Sequence, residues 1–122
     1  MKMTVLSDGF EGHKRRSLAR AAKMDRNERV EAEKIITFAD PLDMLACLTT
    51  QRIRLCQVVR EKSLSISALA EELGRNRGSV TRDVNKLKGL GLLRLREQAN
   101  PGHGVVQIVE PIAHKFEMRT AV

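Results

Sequence analysis

Two short apolar stripes at helical spacing, followed by a switch to alternation, form the clearest pattern in the chain. Ile66, Leu69, Ala70 and Leu73 share one helical face behind Ser65, a side chain suited to capping a helix N-terminus. Gly74 then ends the helix where the backbone must turn left-handed. Asn76 can cap a second helix, 76–88, whose apolar positions are Val80, Val84 and Leu87, with Gly89 and Gly91 as its stop. Two short helices joined by a tight turn containing glycine make a helix-turn-helix. Beyond Gly91 the period falls to two. Leu93 and Leu95 face inward and Arg94 and Arg96 outward, up to the turn at Asn100-Pro101-Gly102. Val106 and Ile108 then alternate until Pro111 breaks the strand. A β-hairpin directly after the second helix predicts a winged helix-turn-helix.

Upstream, the pattern is weaker. Met1, Met3 and Val5 alternate over Met1–Leu6 and suggest a short edge strand, with Ser7 or Asp8 as a following cap. Residues 12–27 are rich in Arg, Lys and Ala, good helix formers, with Leu18, Ala21, Ala22 and Met24 as a narrow apolar stripe. Lys14, Arg15, Arg16, Arg20, Lys23, Arg26 and Arg29 outnumber Asp25 and Glu28, so this helix presents a solvated basic face. Ile35, Ile36 and Phe38 suggest a strand within 30–38. Asp40 and Pro41 read as cap and first residue of a helix carrying Leu42, Leu45 and Leu48, a stripe expected to be core or dimer interface. Thr49 and Thr50 interrupt it. A further helix over 51–61 follows, with Ile53, Leu55, Cys56, Val58 and Val59 apolar. The predicted class is α+β, mainly α: a winged helix-turn-helix over 40–112, a strand-helix-strand extension over 1–39 and a tail over 113–122.

Composition narrows the function. The chain has 122 residues, 22 Lys and Arg against 15 Asp and Glu, and a net charge of +7, a balance suited to a polyanion. Three Phe and no Trp or Tyr leave too few aromatics for a single-strand stacking platform or an RNA-recognition sheet. Cys47 and Cys56 form no CxxC pair and read as buried thiols. The N-terminal residues lack the apolar stretch of an export signal and no segment is long enough to span a bilayer, so a cytoplasmic protein is expected. Neither a glycine-rich phosphate loop nor a Ser-His-Asp signature is present, and three scattered His with two separated Cys make no metal set. Glu71 and Glu72 are adjacent and project apart on a helix. An enzyme is not expected, nor a cofactor or metal.

The stretch from Ser65 to Leu93, SISALAEELGRNRGSVTRDVNKLKGLGLL, resembles MarR-type winged-helix transcription regulators. Ala70, Gly74 and Val80 occupy that motif's small, turn-glycine and buried-aliphatic positions, and Lys-Gly-Leu-Gly-Leu-Leu resembles its exit into the wing. Over most of the chain, the order of an N-terminal strand and helix, an Ile-Thr-Phe strand, a Leu-rich helix and LTTQRIRL is similar to a group of predicted prokaryotic winged-helix regulators. The resemblance implies an autoregulatory repressor or an antitoxin-like protein.

In helix-turn-helix docking the second helix enters the major groove, where Arg can pair with guanine and Asn with adenine. Arg77, Ser79 and Arg82 are therefore expected at base edges, with Asn76, Thr81, Asn85 and Lys86 at base edges or phosphates. Gly78 lowers helix propensity there and permits close approach to a phosphate. Arg94 and Arg96, opening the wing 94–106, are expected at the backbone or minor groove, although a merely solubilising hairpin explains them equally well. His13, His103 and His114 need no special role. The basic N-terminal helix is a second DNA contact, a dimer surface or simply a solvated face. The expected partners are double-stranded DNA and a second copy of the chain, with a toxin-like protein partner as the alternative.

Overall fold

The computed structural model describes residues 2–7, 9–26, 33–102, 104–113 and 115–120. Met1, Asp8, Glu28, Arg29, His103, His114, the side chain of Met24 and the first residues of the expected strand 30–38 lie outside the described residues. The chain divides into two compact units, one of residues 48–113 and one of residues 1–47 with 114–122.

In the unit 48–113, local signals set the helix ends. Helix α3 (Thr50–Glu61) starts at Thr49, whose side chain accepts from the Arg52 N–H. The threonine pair is thus a start signal as well as an interruption. Helix α4 (Ile66–Leu73) is capped by Ser65, which accepts from Ala68 N–H at 3.1 Å. Gly74, at φ 61°, closes it: its own N–H donates to Glu71 and the next N–H, of Arg75, to Ala70. That is the paired-bond helix terminus that only a left-handed residue allows cheaply. Helix α5 (Arg77–Gly89) ends the same way one residue pair later, at Gly91, φ 84°, with Gly91 bonded to Lys88 and Leu92 to Leu87. Gly89 is still helical, so Gly91 alone makes the stop.

The wing is antiparallel: β4 (Leu93–Asn100) pairs β5 (Gly104–Pro111), with Leu95 opposite Val109 and Arg94 opposite Glu110. Pro111 closes the ladder opposite Leu93 instead of preceding its end. A two-residue strand, β3 (Leu64–Ser65), joins the other edge of β5, giving the order β3-β5-β4. No alternation over two residues could have revealed it. The core of this unit takes Leu55 and Val59 from α3, Leu69 and Ala70 from α4, Val80, Val84 and Leu87 from α5, and Leu93 and Val109 from the wing. This is a winged helix-turn-helix, within the expected α+β class.

The other unit carries a three-stranded parallel sheet in the order β2-β1-β6. Strand β1 (Lys2–Leu6) crosses through helix α1 (Gly9–Asp25) to β2 (Glu33–Thr37), a βαβ connection. Expected as an edge strand, β1 is instead central. Its far partner is β6 (Lys115–Arg119), in what looked like a tail. Met3, Thr4, Val5 and Leu6 are all buried. A strand covered on both faces buries successive residues, here three apolar ones and Thr4, and alternation misreads it. The Ser7 hydroxyl bonds that of Thr120. On α1, Leu18 is exposed along with Lys14, Arg15, Arg20 and Lys23, as a solvated basic face requires, while Arg16 is half-buried.

Helix α2 (Pro41–Cys47) is capped as expected, with Asp40 Oδ1 accepting from Leu42 N–H at 2.8 Å. Of its expected leucine stripe only Leu48 behaves as core. Leu42 and Leu45 are 71% and 59% exposed, while Met44 and Leu48, four residues apart, are buried. The two leucines lie on neighbouring turns, outside the arc that Met44 and Leu48 define.

Candidate nucleic-acid interface

Helix α5 is the element whose sequence and surroundings leave a polar face free. Val80, Val84 and Leu87 are fully buried, which sets the inward face of the helix and leaves Arg77, Arg82, Asn85 and Lys86 toward solvent. None of these four takes part in an ion pair among the described residues. The other three expected contact residues of this helix, Asn76, Ser79 and Thr81, are already engaged. The Asn76 side chain accepts from Gly78 and Ser79 N–H at 2.8 and 3.3 Å, so its oxygen is the helix cap. A Cβ on Gly78 would come within 3.1 Å of that same oxygen, which makes the glycine part of the cap. Thr81 Oγ1 donates back to Arg77 C=O at 2.8 Å and is half-buried.

The inner edge of α5 holds a charge cluster that no local pattern signals. Arg52, on α3, reaches Asp83 Oδ1 with Nε at 3.1 Å, and Arg75, in the turn, reaches Oδ2 with Nη2 at 2.8 Å. Arg75 Nη2 also donates to Ser79 Oγ at 3.2 Å, so Ser79, expected at a base edge, is drawn into this cluster. Burial pushes the Asp83 carboxyl up, but the hydrogen bonds from Arg75 and Arg52 and their charges outweigh it. The net result lies below the ordinary carboxylate value.

On the wing, strand alternation separates two faces. Arg94 and Arg96 share the outer face with Glu110, whose carboxylate takes Arg94 Nε at 2.9 Å and Arg96 Nε at 2.5 Å. Those hydrogen bonds, Arg96 first, hold Glu110 below its usual range. Glu97 and Gln107 lie opposite each other on the inner face with Leu95 and Val109. A groove of about 330 Å³ lies between that inner face and the helices, lined by Ser67 at the start of α4, Arg77 at the start of α5, and Glu97, Val105 and Gln107. The polar wing residues beside the start of α5 are thus Glu97 and Gln107, while Arg94 and Arg96 stand on the opposite face. Alternation places them once the groove is known. The sequence singled out only the cations.

Elsewhere the chemistry is quiet. Burial pushes the Cys56 thiol up to about 12, which keeps it protonated and unreactive. Among the described residues no group of three His, Cys, Asp or Glu is placed to hold a metal ion, and no helix is long and apolar enough to cross a membrane.

The family model named HVO_A0114 matches residues 47–108, just over half of the chain and nearly all of the winged-helix unit. The chain belongs to the HVO_A0114 family. No curated protein matches it. Among solved structures, a possible transcriptional regulator from Methanosarcina mazei Go1 is similar at 21% identity and TM-score 0.51, over 57% of this chain and 62% of that one. The chain therefore spans about three fifths of that relative's length. NolR from Sinorhizobium fredii is similar at 15% identity and TM-score 0.50, over 59% of this chain and 68% of its own. A homodimeric winged helix-turn-helix DNA-binding domain from Mycobacterium bovis, described as a possible ArsR-family transcriptional regulator, is 19% identical with TM-score 0.46, over 59% of this chain and 67% of its own. At these identities the likeness to the first two is one of fold.

Proposed function

We propose that this protein is a sequence-specific double-stranded DNA-binding transcription regulator that reads the major groove with α5. The observation that carries the reading is the unpaired polar face of α5, with Arg77, Arg82, Asn85 and Lys86 exposed in front of three fully buried aliphatics. Arg77 and Arg82 address base edges, Asn85 and Lys86 base edges or phosphates. Asn76 and Ser79 shape the helix start and Thr81 its first turn. The groove between Arg77 and the inner wing face has the place of a strand backbone running between the two grooves of the duplex. The net charge of +7 supplies the sequence-independent part of the affinity. Residues 48–113 form the reading module, shorter at its start than the expected 40–112, and the unit that contains residues 1–39 supplies the dimer or partner contact. The regulator is a MarR-like cytoplasmic homodimer that represses, in part, its own promoter.

A second reading, an antitoxin-like module holding a protein partner, is favoured by the exposure of Leu42 and Leu45. Gel-shift titration on the gene's own upstream duplex and on a scrambled duplex separates the two. Preference for the native duplex, lost in Arg77→Ala/Arg82→Ala, supports the regulator. Equal or absent binding with a tight protein complex supports the alternative.

A further inference from the structure

Asp83 faces away from the solvent side of α5, yet it ties that helix to two other pieces of the fold. Its two oxygens are each taken by a different guanidinium, from Arg52 on α3 and Arg75 in the turn. All three side chains are largely covered, at 22%, 16% and 13% exposure for Arg52, Arg75 and Asp83. Ser79, one turn before Asp83 on α5, is bonded to the same Arg75 Nη2. The cluster therefore grips α5 at two successive turns of one edge, four residues apart, and opposes both rotation of the helix about its axis and sliding along it.

Apolar packing alone does not do this. Val80, Val84 and Leu87 are aliphatic side chains, and such contacts are non-directional, so a helix seated only on them can rock by a fraction of a turn. A carboxylate bidentate between two arginines has directions as well as distance. The cluster also has a second effect, on charge. Two arginines at the flank of the reading helix are turned inward onto one carboxylate, away from any phosphate that would otherwise attract them.

We propose that Asp83 is a positioning residue for DNA reading: it fixes the azimuth of α5 and keeps Arg52 and Arg75 off the phosphates, and so raises the preference for the correct sequence over any duplex. This rests on the regulator reading above. Sequence-indifferent attraction scales with the number of phosphates neutralised, whereas discrimination depends on how well Arg77 and Arg82 are aimed. Asp83 lowers the first and sharpens the second.

The test uses the full chain carrying Asp83→Asn, nearly isosteric and one charge more positive, with Asp83→Glu as the conservative control. Titrations on the native and scrambled duplexes are run across a salt series, well below each variant's melting temperature. The expected result for Asp83→Asn is tighter binding to the scrambled duplex and a salt slope steeper by up to about 1.8, from two released arginines. The native-to-scrambled preference falls by about tenfold, and Asp83→Glu recovers part of it. A lower melting temperature with unchanged preference and salt slope would mean that Asp83 is only a stabilising group, and overturns the proposal. Should Asp83→Asn fail to fold, Arg75→Gln removes one arm. The same fall in preference is expected from it, and an unchanged preference overturns the proposal. Wild type that shows no preference overturns the regulator reading and this one with it, whereas wild-type preference left intact by the variants overturns only the role of Asp83.

Discussion

Arg77 and Arg82 stand on α5 without an ion pair among the described residues, whereas Arg94 and Arg96 on β4 share the single carboxylate of Glu110. In the sequence both pairs look alike, as basic residues on the polar side of an amphipathic element. In the fold they differ in kind. The helix arginines have nothing to give up when a base or phosphate approaches. The wing arginines already hold a partner, and any phosphate must compete with it or use the remaining guanidinium donors. Positive charge at an interface is therefore a matter of which charges are free, not of how many there are.

The largest expected effect falls on the helix. Arg77→Ala/Arg82→Ala should remove about 2–6 kcal/mol of discrimination between native and scrambled duplexes if each arginine makes a bidentate base contact. Competition gel shifts check it. A preference that survives would move the reading head off α5.

Next come the backbone devices that hold α5 where it is. At Gly74, φ 61°, an added Cβ meets nothing within 4 Å, so Gly74→Ala carries the left-handed cost alone, about 1–2 kcal/mol in urea unfolding. Asn76→Ala removes the cap on Gly78 and Ser79 N–H and should cost about 1 kcal/mol in the same assay. A larger loss would show that the cap also braces the turn.

Acid sharpens the contrast. The Asp83 carboxyl is held below its ordinary value, so its contribution to stability is complete above the unfolded carboxylate pKa of about 3.9 and is lost as pH falls through the lowered folded value. The urea midpoint of wild type should therefore drop more between neutral pH and pH 3 than that of Asp83→Asn. Equal drops would show that other carboxylates dominate. The smallest effect is expected on the wing. Glu110→Gln frees Arg94 and Arg96 and should tighten binding to any duplex slightly, steepening the salt slope by no more than about 0.9 per arginine. The native-to-scrambled preference should stay where it is. A change in that preference would bring the outer wing face into sequence reading.

Much of the winged helix was legible because its signals are short-ranged. Ser65 and Asn76 cap helices whose N–H groups lie two or three residues away, and Gly74 answers a carbonyl three residues back. The buried positions of α4 and α5 follow from a 3.6-residue period that any core would impose. The N-terminal half was less legible. Leu42, Leu45 and Leu48 are spaced like a core stripe, but only Leu48 of them is buried, together with Met44, and which arc of a short helix is covered depends on neighbours the sequence does not place.

The sequence by itself determined the helix-turn-helix, the hairpin after it, which face of α5 is apolar and the positive charge, since each rests on composition or on residues within about one turn or one strand of each other. Only the tertiary structure decided that β1 is the centre of a parallel sheet closed by β6 from the far end of the chain. It alone decided that Asp83 gathers an arginine from 31 residues upstream, and that Glu110 ties up two arginines of the neighbouring wing strand. Parallel pairing and ion pairs between elements leave no periodic trace in sequence. They depend on where distant segments meet, and no local pattern of apolar and polar residues records that.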